Sequence, residues 1–281
     1  MAHLRLMTNN QWKMDENCPA WEKRGLDCSG KVREQGFAAL YHDLAPDVIG
    51  MQEVSFRMAD YLVRDLAALG DRYALLFGRD TPILYRQDKF ELVDSDFALF
   101  PDSVPGLEGI FNNDHTKSYC IAAFRVKENG KMFVFATTHL WWKSDNPEVN
   151  WYQKGSGEAR SYQIGLIIER TDAMQKKYGC PAVLVGDFNT DYASSPVRTA
   201  LENGFLHAHD LATECRAEDN GWHPCGPSGF APYEPKPFEK GIDHILVKNA
   251  PDGFVRRFER TSPASYLPLS DHFPAWIDVE I

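Results

Sequence analysis

The chain has 281 residues, 43% hydrophobic and 25% charged, the composition of an ordinary globular protein with ample length for a buried core. Its formal net charge of −10 works against long-range attraction to nucleic acid or to an anionic membrane, and no Lys/Arg run marks a local basic groove. No apolar run approaches the roughly 18 residues that would suggest a membrane span.

His3 to Thr8 alternates in polarity and predicts a strand ending at Asn9-Asn10, followed by a long polar loop from Gln11 to Gly30. Lys31 to Leu44 has helical spacing and stops before Pro46. Asp47 to Met51 is a short buried strand that runs at once into Gln52-Glu53, and Ser55 can cap a helix reaching about Leu69. Tyr73–Phe77, Pro82–Tyr85 and Phe90–Leu99 read as successive strands. Tyr119–Val126 and Met132–Thr138 are two more, joined across Asn129-Gly130 as a hairpin and ending at His139. A Trp-rich loop leads to a helix from about Glu158 to Lys177. Ala182–Val185 is a strand that stops at Gly186-Asp187, and Ser195 with Pro196 predicts the start of another helix. Residues 213–240 form an irregular stretch, after which Ile242–Val247, Val255–Arg260 and Ala275–Ile281 close the chain as strands.

There is no short-period repeat, low-complexity tract or linker, so one α/β domain spanning residues 1–281, with sheets inside and helices outside, is expected, acting as a monomer. None of the six cysteines forms a CxxC, which argues against a zinc ribbon or a thioredoxin-type site. Cys18/Cys28 and Cys215/Cys225 each lie ten apart in loop-like sequence, where a local disulfide and free thiols fit equally. The first strand begins straight after Met-Ala, as in a chain trimmed of a leader, so cytoplasmic and exported locations both stay open.

Several apolar strands end in a residue able to bind metal or phosphate: Asn10, Glu53, His139, Asp187 with Asn189, Asp243, and Asp271-His272 just before the last strand. Taken singly, each has an ordinary reading as a turn former, a cap or a buried hydrogen-bonding group. Together they are an inventory of hard oxygen donors suited to Mg²⁺, Mn²⁺ or Ca²⁺, with two imidazoles to stabilise charge and carboxylates to orient a water. That inventory suits metal-assisted phosphoester hydrolysis.

The order of the motifs TNN (Thr8–Asn10), QEV (Gln52–Val54), TTHL (Thr137–Leu140), GDFN (Gly186–Asn189), IDHI (Ile242–Ile245) and SDHFP (Ser270–Pro274) resembles that of the endonuclease/exonuclease/phosphatase superfamily, the DNase I-like phosphoesterases. The resemblance implies a four-layer α/β sandwich, two mixed β-sheets packed face to face and flanked by helices, with the site at one edge of the paired sheets. It implies Glu53 as principal metal ligand, with Asn10 beside metal and phosphate and Asp271 as a further metal contact. It further implies that Asp187 positions or deprotonates the attacking water, Asn189 holds the phosphate, and His139 binds the phosphate and stabilises charge or assists the leaving group. His272 would be the second histidine, oriented by Asp243. The cofactor implied is Mg²⁺, with Mn²⁺ or Ca²⁺ as alternatives. Two departures stand out: the usual aromatic of the first motif is Asn9, leaving Asn10 as the matching asparagine by register and Asn9 in reserve, and His244 stands where an aromatic often follows the Ile-Asp pair.

Substrate is read less directly. Trp141, Trp142 and Trp151 flank the loop after His139, and Trp222 precedes Asp243, so these indoles are candidates to stack on a sugar, base or headgroup, or to pack long loops onto the core. Arg160 could reach a phosphate through its planar fork. The acidic charge and the Trp-rich loops favour a small phosphorylated substrate, a sugar phosphate or headgroup. A nuclease would need a basic, aromatic-lined groove. A non-catalytic binding module on the same fold would have lost an acidic or histidine motif, and none is lost.

Overall fold

A computed structural model describes the chain except for residues 218, 223–224, 227–228, 231–233, 262–265 and 267–268. One seven-stranded sheet runs, edge to edge, Glu214–Arg216 (β10), Val255–Arg260 (β14), Ala275–Glu280 (β15), His3–Asn10 (β1), Val48–Gln52 (β2), Ile83–Arg86 (β4) and Tyr73–Leu76 (β3). A six-stranded sheet runs Phe90–Leu99 (β5), Ser118–Val126 (β6), Met132–His139 (β7), Ala182–Asp187 (β8), Asp243–Lys248 (β13) and Phe205–His207 (β9). Cys225–Gly226 (β11) and Gly229–Phe230 (β12) pair separately. Both large sheets are mixed: β1–β2 and β10–β14 are parallel in the first and β7–β8 in the second, and the remaining pairs are antiparallel.

The strand period of two assigns side chains to layers. In β8, Val183 and Val185 enter the core shared by the two sheets with Leu6, Phe124, Phe135 and Ile277. Leu184 points the other way, into a second core under Ser156–Tyr178 (α4) and Ser195–Glu202 (α5), with Ile164, Ile168 and Val197. On the far side, Gly30–Leu44 (α2) and Phe56–Ala68 (α3) seal the first sheet through Phe37, Tyr41, Met58, Leu62 and Leu66 over Met7 and Ile49. The result is the four-layer α/β sandwich anticipated from the motifs. Gly50 lets the sheets approach closely: a Cβ there would lie 2.5 Å from a Val185 methyl and 2.7 Å from the Thr137 Cβ.

Local details follow the sequence with adjustments. Ser55 caps α3 by accepting from the Met58 amide, and Gly130 turns the β6–β7 hairpin at φ +74°. Helix α2 ends at Leu44, and Ala45, forced out of the helical region by Pro46, sits at φ +48°. The cap of α5 is Ser194 rather than Ser195, one residue earlier than the Ser-Pro pair suggests, and α4 begins at Ser156. The loop after β1 contains a short helix, Pro19–Glu22 (α1), and the irregular stretch after residue 213 contains β10, β11, β12 and a 3₁₀ turn, Phe238–Lys240. Cys18 and Cys28 are free thiols whose loop segments touch, the Cys18 amide donating to the Cys28 Sγ at 3.4 Å. The Cys225 side chain, and with it the Cys215/Cys225 pairing, lies outside the described residues.

Glu34 is an anomaly in this fold. It is fully buried in α2, and neither carboxylate oxygen has a hydrogen-bond partner among the described residues. Burial raises its pKa well above 4.5, against the opposing charge of Arg33. An acid raised in this way favours folding below its unfolded pKa and erodes stability as pH climbs past it. Glu34→Leu is therefore expected to raise the free energy of unfolding by about 1–3 kcal/mol at pH 8 and by less at pH 5, read from urea melts at the two pH values.

Candidate active site

The polar residues meet because of strand register. In the six-stranded sheet, Ser118 pairs with His139, His139 with Asp187, and Asp187 with Asp243, forming one row across β6, β7, β8 and β13. In the facing sheet, Asn10 pairs with Gln52, and Glu53 follows. The two rows are tied beneath the site by Gln52, whose amide donates to the Thr137 Oγ1 of the opposite sheet at 2.9 Å and to the Gly50 carbonyl at 3.1 Å. His272 arrives from the turn before β15, positioned by its amide donating to the Ser270 Oγ, which in turn donates to the Asn10 carbonyl at 2.9 Å.

Asp187 is the centre of the cluster. Its Oδ1 accepts from the Asn189 amide at 2.8 Å and its Oδ2 from the Asn10 Nδ2 at 3.0 Å. Its Oδ2 lies 3.4 Å from the His139 Nε2 and 4.0 Å from the His272 Nε2. Burial pushes the Asp187 carboxyl up to about 7, the His272 charge opposing the rise and Asp243 adding to it. Gly186 is required beside it: at φ +145°, a Cβ would lie 2.1 Å from the Thr138 carbonyl oxygen. Asn189 and Glu53 both adopt left-handed backbone, at φ +52° and +56°. For residues other than glycine that conformation costs free energy, and here both side chains line the same cleft.

The two histidines sit in opposite electrostatic settings. His272 Nδ1 and Asp243 Oδ2 are 2.8 Å apart. Burial works against the imidazolium, but the charge and hydrogen bond of Asp243, with Asp271 and Asp187, outweigh it and push His272 up to about 10. His139 is held well below the ordinary imidazole range by burial and by the Lys117 and His272 charges. Lys117 Nζ donates to the His139 Nε2 at 2.6 Å and is itself lowered by burial, with Glu53 and Asp187 opposing. One histidine is thus a fixed cation at neutral pH, and the other is a neutral acceptor.

Glu53, Asn10 and Asp187 supply clustered oxygen atoms. Asn10 donates to the Glu53 Oε1 at 3.2 Å, and the Glu53 Oε2 receives the Lys13 amide at 3.3 Å. Glu53, His139 and Asp187 offer ligand atoms within 4.8 Å of one another, as do Asp187, Asp243 and His272. A partly exposed carboxylate beside buried oxygens fits a hard dication. Asp271 belongs to neither group and does not line the cleft; burial pushes its carboxyl up to about 6, with the Glu53 charge adding to the rise.

The cluster opens into a cleft of about 950 Å³ that Glu53, His139, Asp187, Asn189 and His272 line together with Trp142, Trp151, Arg160 and Trp222. Trp141 is placed elsewhere: it is 1% exposed, packs edge-on against Phe111 at 6.0 Å and supports the loop from below. Arg160 is spent largely on that loop, its Nη1 donating to the carbonyls of Lys143 at 2.6 Å and Trp141 at 3.2 Å and its Nη2 lying 3.3 Å from Asp145. His244 holds the other side, its Nε2 2.8 Å from the Thr190 carbonyl and its ring 4.8 Å from that of Phe188. In place of an aromatic, it tethers the loop carrying Asn189.

Lys117 joins this candidate cluster through His139, and sequence reasoning missed it. It lies one residue before β6 in a turn knotted by Asn112, whose Oδ1 accepts from the amides of Thr116 and Lys117. The only available signal was register: a cation directly before the strand that pairs with the one ending at His139.

The family profile described as the Endonuclease/Exonuclease/phosphatase family matches residues 28–272. No curated protein sequence matches the chain. Among solved structures, an endonuclease/exonuclease/phosphatase from Bacteroides vulgatus is 25% identical with a TM-score of 0.73, all of each chain being covered. The mannosyl-6-phosphatase of Bacteroides thetaiotaomicron VPI-5482 is 20% identical with a TM-score of 0.74, covering 99% of this chain and 100% of its own. D. rerio TDP2, complexed with single strand DNA product, is 16% identical with a TM-score of 0.65, all of each chain being covered.

Proposed function

This chain belongs to the endonuclease/exonuclease/phosphatase family of divalent-metal-dependent phosphoester hydrolases, and on that premise we propose that it hydrolyses a phosphoester of a small phosphorylated molecule, a sugar phosphate or headgroup, by in-line attack of water. The observation that carries the reading is the convergence on the buried Asp187 carboxylate of Asn10 Nδ2 at 3.0 Å, His139 Nε2 at 3.4 Å and His272 Nε2 at 4.0 Å, with Lys117 Nζ 2.6 Å from His139 Nε2.

Asp187 accepts a proton from the attacking water. Its two oxygens are oriented by the Asn189 amide and by Asn10, and burial, by raising its pKa, makes it a stronger base for that transfer. His272, fixed by Asp243, presents its Nε2–H to a phosphoryl oxygen, where charge grows as the water adds. Lys117 adds a second cation beside His139, and the Asn189 carboxamide helps hold the phosphate. Glu53 and Asn10 would hold Mg²⁺ or Mn²⁺, which would supply Lewis-acid polarisation of the phosphoryl group when bound, and Asp271, which lies off the cleft, would not contact it.

The cations of the cleft do not form a continuous basic track. Lys13 is paired with Asp80 and Lys240 with Asp191, both at 2.9 Å, and Arg160 with Asp145 at 3.3 Å. A polynucleotide, which needs free cations for successive phosphates, would meet groups already held by carboxylates. The similarity to a mannosyl-6-phosphatase over the whole chain agrees with a small substrate. The deciding experiment is phosphate release from sugar phosphates, inositol phosphates and headgroup phosphoesters, alongside single- and double-stranded DNA and RNA, with Mg²⁺ or Mn²⁺ and with chelator. Turnover of a small phosphoester only with metal supports the reading. Cleavage of nucleic acid alone replaces it with a nuclease, and metal-independent turnover overturns the mechanism.

A further inference from the structure

We propose that the outer part of the cleft is a subsite for one polyhydroxylated sugar ring, built on the Trp151 and Trp142 indoles with Trp222, Asp145, Asn146 and Asn220 around them. The proposal rests on the small-phosphoester reading above and names the part of the substrate that reading leaves open.

Trp151 and Trp142 are 52% and 43% exposed, and both line the same cleft as Asp187 and His272. Large exposed indoles in a polar cleft are what needs explaining. The loop holds Trp151 there by its own hydrogen bonds. The Ser144 amide donates to the Trp151 carbonyl at 3.1 Å, the Gln153 amide donates back to the Ser144 carbonyl at 2.9 Å, and the Asn146 amide donates to the Ser144 Oγ at 3.0 Å. Arg160 ties the same loop to helix α4 through the Lys143 carbonyl and Asp145. The indole is presented by a folded loop.

The groups around the indoles select among occupants. A pyranose offers an apolar C–H face and a rim of hydroxyls, so it needs flat aromatic surface edged by carboxylate and carboxamide groups. Asp145, Asn146 and Asn220 supply that edge. Lys143 lies 5.8 Å over the Trp142 ring and Lys236 4.6 Å over the Trp222 ring, each placing ammonium donors beside an indole. A lipid tail would require continuous apolar lining, which these carboxylate, carboxamide and ammonium groups interrupt.

The test compares glucose, mannose and galactose 6-phosphates with glycerol 3-phosphate, which carries the same ester without a ring. In Mg²⁺, Trp151→Ala is expected to raise KM for at least one hexose phosphate about tenfold while changing kcat/KM for glycerol 3-phosphate by less than about twofold, and Trp151→Phe should recover most of the loss. The hexose phosphate should also quench the tryptophan fluorescence of an Asp187→Asn variant where glycerol 3-phosphate does not. Equal losses on both substrates, no change on either, or no quenching would overturn the subsite. Quenching without any turnover by the wild type would retain the subsite and count against the hydrolase reading.

Discussion

Asp187→Asn is expected to lower kcat by roughly 10²–10⁴-fold with the fold intact. The carboxamide has the same shape, and its oxygen can still accept from the Asn189 amide. It cannot take a proton from water, and its NH₂ faces the Asn10 Nδ2, turning one acceptor–donor contact into donor against donor. The stability cost is small, because burial, the largest influence on this carboxyl, disfavours its charge and the carboxamide carries none, which offsets the lost attraction to His272. Steady-state kinetics beside thermal melts separate the two effects. A variant with the wild-type melting temperature and near-wild-type kcat would remove Asp187 from the chemistry.

The second large effect is loss of the divalent ion. Chelation is expected to bring turnover to background and Mg²⁺ or Mn²⁺ to restore it. Glu53→Gln is expected to raise the metal concentration giving half-maximal rate by about tenfold or more and to lower kcat by about 10²-fold. Glu53 is the partly exposed carboxylate of the cluster, is held in left-handed backbone, and is steadied by Asn10 and the Lys13 amide. Glutamine keeps that shape and loses one negative charge, so the change reads out charge at the metal rather than loop structure. Metal titrations of rate for the two proteins check it, and identical titration curves would place the ion elsewhere.

Much of this site is legible in the sequence because the fold delivers it through strand ends. A strand-like run that stops at an Asn, Asp, His or Glu announces both a buried strand and a polar group at its exit, and Asn10, Glu53, His139 and Asp187 all appear that way. What stays hidden depends on register and on loops docking across the sheets. Lys117 looks like any surface lysine until β6 pairs with β7 and brings it against His139. Trp141 and Trp142 are adjacent in sequence, yet Phe111 and helix α4 claim the first for the core and leave the second in the cleft. Arg160 carries the guanidinium expected of a phosphate binder, and loop carbonyls take up much of its donor capacity. The Ser-Pro signal located α5 but missed its cap by one residue, because either of two adjacent serines can fill that place.

The measurement closest to the central claim is hydrolysis of the best small phosphoester in ¹⁸O-water with Mg²⁺, followed by mass spectrometry of both products. Attack of an Asp187-activated water at phosphorus puts one solvent oxygen into the released phosphate and none into the alcohol, at a rate that collapses in Asp187→Asn. Label in the alcohol, or the same labelled phosphate formed at the same rate by the variant, would contradict it.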